Sequence, residues 1–365
     1  MVEKYPQSFD LKKSEPVADP PKVSILVITY NQEHLISQAI NSILSQEVNF
    51  AYEIVIGEDA STDRTREIVV ELGKQHPEKI RVLLRNPEEA DRDRRIGLAG
   101  KINYLTTLRE CRGEYIAHLD GDDYFTSPHK LQRQVDFLDT HPECSICFHN
   151  VVAIYESGNT GPEKLCAANQ KEITGIEELL WGNFIPACSI MFRREPLVEI
   201  PDWFLTVKMG DWPLNILKAQ HGKIGYIDEV MAAYRVHAAG VWTVRTRSHQ
   251  IVTSIKVLDN IDRDLDFKYS DCIRGSKTRI FFELAELYLQ SGHPRFALIP
   301  VKKALRLSRG KHKGILSLWL RLQTPALYWA FKKLRLLTPK ALTNSSPGLE
   351  HSDNPGNNPN DIFQP

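Results

Sequence analysis

The sequence predicts an α/β protein: a mainly parallel, Rossmann-like sheet flanked by helices, followed by an α-helical C-terminal region. Three observations predict it. Val23–Thr29 (VSILVIT) is an unbroken β-branched run of the kind found in strands buried on both faces. From there to about Tyr234, short apolar runs alternate with amphipathic segments, the pattern of strand–helix–strand units. Beyond about Arg247 the strand-like runs stop and helical periodicity continues alone.

The elements follow in order. Residues 1–21 are polar and proline-containing and read as a flexible arm. After the first strand, Glu33–Gln46 places Leu35, Ile36, Ala39, Ile40, Ile43 and Leu44 on one helical face. Glu53–Gly57 is a second strand, and Ser61 or Thr62 can cap a helix running to about Lys74. Ile80–Leu84 is a third strand, Gly100–Cys111 a helix and Tyr115–Leu119 a fourth strand. Ser127-Pro128 opens a helix to about Thr140. Ser145–Tyr155 is a further strand, and 156–172 is a loop. Thr174-x-x-Glu177 is a capping box before a short helix ending near Trp181. Cys188–Phe192 reads as strand, Trp212–Ala219 as helix and Ile224–Tyr234 as one or two strands. Helices are then expected near 247–262, 276–290, 295–308 and 314–336, with a disordered tail over 341–365.

The 365 residues suit two or three domains at ~150 residues each. With 42% hydrophobic and 25% charged residues, the chain is not disordered throughout, collagenous or multi-spanning. Lys+Arg and Asp+Glu are both 46, but unevenly spread. Pro294–Lys340 holds 12 Lys/Arg and no acid, whereas residues 1–293 hold 34 against 43 acids. Six cysteines are sparse for a disulfide scaffold, and the single CxxC pair, Cys144 and Cys147, has no partner pair for zinc; reduced core cysteines are expected. The N-terminal residues contain no apolar signal region, and Gly314–Phe331 is interrupted by Arg321 and Pro325. A cytoplasmic location is the expectation, with peripheral contact on the inner face of the membrane.

Ligands of open α/β sheets bind at the carboxyl ends of the strands. Thr29-Tyr30-Asn31 follows the first strand, Glu58-Asp59-Ala60-Ser61-Thr62-Asp63 the second, and Asp120-Gly121-Asp122-Asp123 the fourth. So many carboxylates on one edge call for a divalent cation, a cationic partner or raised pKa values; helix capping is the plain alternative. An all-oxygen acidic site suits Mg²⁺ or Mn²⁺ bridging to phosphates, and Tyr30 offers an aromatic face for a nucleobase. No GxGxxG follows the first strand, and Gly97-Leu98-Ala99-Gly100-Lys101 is too short between its glycines for a P-loop. Dehydrogenase and P-loop ATPase readings fall on those grounds.

Four blocks then carry a resemblance: Lys22–Asn31 (KVSILVITYN), Ser42–Gln46 (SILSQ), Glu53–Thr65 (EIVIGEDASTDRT) and Gly113–Asp123 (GEYIAHLDGDD). In order and spacing they resemble the family 2 glycosyltransferases with the GT-A fold, across roughly 22–240, and bacterial surface-polysaccharide enzymes in particular. Gly210-Asp211-Trp212 and Tyr234-Arg235-Val236-His237 resemble that family's acceptor-side signatures. The resemblance implies a glycosyltransferase domain over 22–245, with a nucleotide-sugar half (22–125) and an acceptor half (126–245), and a basic helical region over 246–340.

The resemblance also implies roles. Thr29 and Tyr30 would border the nucleotide, with Tyr30 on the base, and Asp59 would accept a hydrogen bond from the base edge. Arg95 and Lys101 would serve the nucleotide or its phosphates. Asp120-Gly121-Asp122 would be the DXD motif, with Asp122 on the metal and Asp120 on the ribose or a metal-bound water. His237 would be a further metal or diphosphate ligand. Asp211 would be the general base for the acceptor hydroxyl, or else a helix-capping carboxylate. The chain departs from the family at Glu58, usually Asp, and at Lys101-Ile102-Asn103, which lacks the usual Arg-Asn pair. Trp181, Trp203, Trp212 and Trp242 are sugar platforms or ordinary core.

The implied reaction is inverting transfer from a nucleotide-diphosphate sugar, UDP-sugar first, to a saccharide or lipid-linked saccharide acceptor. A nucleotidyltransferase acting on a sugar phosphate, a glycoside hydrolase and a non-catalytic carbohydrate-binding relative are the alternatives. The basic 294–340 segment, with its Trp, Leu and Phe residues, is expected to contact an anionic membrane rather than nucleic acid.

Overall fold

The computed structural model describes residues 9–10, 20–155, 161, 164–195, 200–236, 246–309 and 313–323. The strands are β1 (Phe9–Asp10), β2 (Val23–Thr29), β3 (Tyr52–Glu58), β4 (Ile80–Arg85), β5 (Tyr115–Asp120), β6 (Tyr124–Phe125), β7 (Cys144–Tyr155), β8 (Ile173–Thr174), β9 (Met191–Arg193) and β10 (Lys223–Val236). The helices are α1 (Ile36–Leu44), α2 (Thr65–Gln75), α3 (Pro87–Arg95), α4 (Ala99–Glu110), α5 (Lys130–Thr140), α6 (Ile176–Trp181), α7 (Asp211–Ala219), α8 (Arg247–Asp264), α9 (Ser270–Gln290), α10 (Pro294–Leu307) and α11 (Lys313–Gln323). The expected tail over 341–365 and most of the N-terminal arm lie outside the described residues.

One mixed sheet runs in the order β1-β4-β3-β2-β5-β9-β7-β10-β6, with β8 on β10. Strands β4, β3, β2 and β5 are parallel neighbours. The chain builds outward from β2 through β3 and β4, then returns to lay β5 on the other side of β2. That reversal opens the sheet edge at the carboxyl ends of β2 and β5. Register levels those ends: Thr29 pairs with Glu58, and Ile28 with Asp120. The short β9 is antiparallel to both β5 and β7, which makes the sheet mixed. Ile25, Val27, Ile54, Ile56, Tyr115, Ala117 and Leu119 pack with Ile36, Ile40 and Ile43 of α1 in one core.

Several boundaries differ from expectation for local reasons. The 33–46 helix begins only at Ile36. Helix α2 begins at Thr65, whose N–H is held by Asp63 Oδ1 at 2.9 Å, because Ser61 Oγ is engaged with the Asn31 N–H at 3.0 Å. Asn31 and Ala60 both adopt left-handed φ, 52° and 56°, where the two loops meet. Helix α3 was not expected, since it buries only Ala90 and Asp93 and has almost no apolar period. Its start is nonetheless written in sequence: Asn86 accepts from the N–H groups of Glu88 and Glu89, and Pro87 occupies the first turn. The expected 188–192 strand is a 3-10 turn, Ala187–Ser189, followed by β9. The 224–234 region is one strand with register shifts.

The chain divides into two units. The first comprises Met1–Cys166, Gln170–Ile176 and Phe184–Ala238 and holds the sheet. The second comprises Ala167–Asn169, Glu177–Asn183 and Ala239–Pro365. Its helices bury Phe281, Ala285, Ala297, Val301, Ala304, Ile315 and Leu318, with Trp319 and Leu322 packed against them. The six cysteines are unpaired thiols, with Cys144 and Cys147 buried. Among the described residues no helix is long and apolar enough to cross a membrane.

Candidate active site

Asp120 ends β5, and the next N–H, that of Gly121, bonds Ile28 O of β2 at 3.0 Å. A Cβ at Gly121, in the tight turn over β2, would fall against Gln32 Oε1 and lie 3.0 Å from Thr29 Cβ and Ile36 Cδ1, so a larger residue would displace the Gln32 side chain and press on β2 and α1. The turn brings carboxylate oxygens of Asp120, Asp122 and Asp123 within 4.8 Å of one another. Asp123 is buried; its Oδ1 accepts the Arg235 N–H at 2.8 Å, and its Oδ2 has no hydrogen-bond partner. Burial, then Asp122 and Asp120, push its carboxyl well above the usual range. Arg235 braces the turn, donating to Asp122 O and to Gln38 Oε1 while lying 4.7 Å from the Tyr124 ring centroid. Three crowded carboxylates, one with an unsatisfied buried oxygen, form an all-oxygen set that fits a hard divalent cation.

A second layer supports the first. His118 lies two residues before Asp120, on the same strand face. Its Nε2 lies 3.0 Å from Asp120 Oδ1, and its ring stacks on Tyr104 at 5.3 Å. Tyr104 OH accepts from Lys218 Nζ at 3.4 Å. Lys218 is buried with its Nζ 3.5 Å from the Phe192 ring centroid, and desolvation drives its pKa down to about 7. Asp211 opens α7, seven residues before Lys218. Its side chain reaches solvent, yet enough protein surrounds it that desolvation raises its carboxyl. The backbone N–H groups of Trp212 and Asp211 pull the other way, Asp120 adds repulsion, and His118 offsets it. Asp211 is thus both a first-turn carboxylate and an electrostatic neighbour of Asp120.

At the β2–β3 edge, Thr29 is buried and donates its hydroxyl to Gln32 Oε1 at 2.7 Å. Tyr30 is exposed, and one ring face carries the Arg94 guanidinium at 4.1 Å. Arg94 also donates to Asp59 O at 2.7 Å. Asp59 is buried and paired with Arg85 at 2.5 Å, and Arg85 forks to Asp93 as well. Burial raises the Asp59 carboxyl, while Arg85 and Arg94 draw it back. Glu58, the departure from the family pattern, is fully buried and structural: it accepts the Ser61 N–H at 2.6 Å and pairs with Arg66 at 2.6 Å.

Among the residues singled out in the sequence, Thr29, Tyr30, Asp59, Asp120, Asp122 and Asp211 stand at this edge or beside it. Arg95 is not brought there: it is exposed on α3 and paired with Asp91 at 2.7 Å, one turn back. Neither is Lys101, whose Nζ donates to Phe204 O at 2.6 Å and Val207 O at 2.5 Å. His237 and Trp242 lie outside the described residues. Trp212 is core, and Trp181 is 45% exposed in the helical unit. Sequence reasoning passed over Arg85, Arg94 and His118. Arg85 follows the expected third strand directly, so reading the residue after that strand would have found it. His118 is legible from the two-residue period of β5. Arg94 had no comparable signal, since α3 itself was unexpected.

Residues 24–200 match the model of glycosyl transferase family 2. An uncharacterized protein of Mycobacterium tuberculosis is 38% identical over 220 residues, which is 60% of this chain and 60% of that protein. A Bacillus subtilis glycosyltransferase named for teichuronic acid biosynthesis, TuaG, is 27% identical over 218 residues, 59% of this chain and 79% of that one. Among solved structures, Staphylococcus aureus TarS residues 1–349 in complex with UDP superposes with a TM-score of 0.54 at 18% identity, covering 86% of this chain and 87% of that one. The mannosyltransferase PcManGT of Pyrobaculum calidifontis, in complex with GDP-Man and Mn²⁺, gives a TM-score of 0.50 at 19% identity, covering 91% and 88%. The sheet unit therefore has the GT-A fold, and residues 24–200, nearly all within it, match glycosyl transferase family 2.

Proposed function

We propose that the protein transfers a sugar, with inversion, from a nucleotide-diphosphate sugar to a saccharide or lipid-linked saccharide in bacterial surface-polysaccharide synthesis. The observation that carries this is the meeting of Asp120, Asp122 and Asp123 at the sheet's switch point, with Asp211 in electrostatic range. Relatives support it: one bears the name of a cell-wall polymer, and structural neighbours hold UDP or GDP-Man with Mn²⁺.

In this reading Asp122, with Asp120 beside it and His237 as a further ligand, would hold Mn²⁺ or Mg²⁺. The cation would supply positive charge to the departing diphosphate. Thr29 and Tyr30 border the nucleoside, and UDP-sugar is the first donor to test. Asp59, clamped by Arg85, presents a carboxylate as acceptor to a base edge that carries N–H, as uracil and guanine do. Asp211 takes the acceptor proton while the hydroxyl oxygen attacks the anomeric carbon and the carbon–phosphate-oxygen bond breaks. Its raised carboxyl suits a base working nearer neutrality. The basic 294–340 segment holds the chain against an anionic membrane.

The test is a panel of UDP-, GDP- and TDP-sugars with Mn²⁺ or Mg²⁺, read by release of nucleoside diphosphate and by NMR of the product's anomeric configuration. Asp211→Asn should keep nucleotide affinity and lose turnover by roughly 10²–10⁴-fold. Pyrophosphate release, or near-normal turnover by the folded variant, would overturn the reading or the role of Asp211.

A further inference from the structure

The membrane contact of that reading has a place on the molecule that the sequence alone did not show. The sequence put the apolar side on the Trp, Leu, Tyr and Phe residues from Trp319 to Leu337, and those beyond Gln323 lie outside the described residues. In the helical unit, however, Ile315, Leu318, Trp319 and Leu322 are spent inside, against α9 and α10. Two large side chains on α10 face solvent: Ile299 is 62% exposed, and Phe296 is 47% exposed with its ring against Tyr288 and His293.

Helix geometry, about 100° per residue, puts α10 in two arcs. Ala297, Pro300, Val301 and Ala304 are buried on one side. Arg295, Phe296, Ile299, Lys302, Lys303 and Arg306 are exposed on the other, within an arc of about 120°. Ile299 lies near the centre of that arc, with Arg295 one turn before it and Lys302 and Lys303 one turn after. No acid occurs between Glu286 and Glu350. Among the described residues none of these cations forms an ion pair.

We propose that this face of α10 docks on an anionic phospholipid surface. A row of cations gathers at the headgroups, and Ile299 and Phe296 enter the boundary below them. Cations alone would equally suit a nucleic-acid backbone, but a phosphate surface gives no gain from burying an isoleucine at the centre of the patch. The inference rests on the peripheral-membrane part of the reading and not on glycosyl transfer.

The test is flotation of the full chain with vesicles of phosphatidylcholine alone and of phosphatidylcholine with about one-third phosphatidylglycerol. The full chain should float with the anionic vesicles only, and less as salt rises. A Phe296→Ser, Ile299→Ser double variant should bind about ten-fold more weakly with all its cations in place. Lys302→Gln, Lys303→Gln, Arg306→Gln together should bind about 100-fold more weakly. Circular dichroism should show both variants folded, since the side chains are exposed. If both variants float like the parent, the α10 face is overturned while membrane binding by the chain survives. If the parent does not float, both are overturned. If the apolar variant alone is unaffected, or single-stranded RNA at equal salt competes the protein off the vesicles, the surface reads phosphate and the lipid assignment is wrong.

Discussion

The Lys101 ammonium lies 4.3 Å from the Phe204 ring centroid and donates to the carbonyl oxygens of Phe204 and Val207. These contacts tie α4 to the turn that leads into Asp211. Burial, with Lys208 nearby, holds the Lys101 pKa down to about 8.

Lys101→Met should therefore act on positioning rather than on nucleotide binding. Calorimetric nucleotide affinity should stay within about two-fold, while turnover falls roughly ten- to hundred-fold as the approach to Asp211 loosens. A fall of more than ten-fold in nucleotide affinity, with turnover preserved at saturation, would return Lys101 to the phosphates.

Arg85 gives the second expectation. One guanidinium serves two buried carboxylates, Asp59 and Asp93. Arg85→Met leaves both without their main cation and should cost about 3–5 kcal/mol in urea unfolding. Lysine cannot reproduce the fork and should recover less than half of that. A loss under about 1 kcal/mol would show that the carboxylates repair themselves with Arg94 or with protons.

Much of this arrangement was legible in the sequence because it depends on short-range rules. Val23–Thr29 had to be a buried parallel strand, and the acids after the strands had to meet at one edge once the chain reversed beside β2. What escaped depends on tertiary pairing. The resemblance implies nucleotide roles for Arg95 and Lys101, yet helix phase turns Arg95 outward and puts Arg94 on Tyr30. Lys101 points toward Phe204, 103 residues away along the chain, which no local pattern encodes. Trp319 and Leu322 look available for lipid in the sequence because it shows their chemistry but not that they pack against the core of α9 and α10.

Buried lysines make stability depend on pH. Lys218 and Lys130 are buried, and desolvation takes each from its ordinary 10.5 to about 7. Between about pH 7 and 10.5 the unfolded chain binds more protons at these positions than the folded chain, so stability rises with pH there. Below pH 7 both are charged in the fold and the full desolvation penalty is felt. Lys218→Met should stabilise the fold most near pH 6, by on the order of a few kcal/mol or less in urea unfolding, and progressively less toward pH 10. A gain that does not change with pH, or a loss at pH 6, would contradict this.

The most direct measurement of the central claim is titration calorimetry of UDP and GDP, with and without Mn²⁺, into the parent chain and Asp122→Ala. Asp122 lies in the carboxylate cluster and not in the core, so the variant should fold. The parent should bind at least one of the two nucleotides more tightly with Mn²⁺, and Asp122→Ala should lose that enhancement. Equal, metal-independent binding by both proteins would contradict the account.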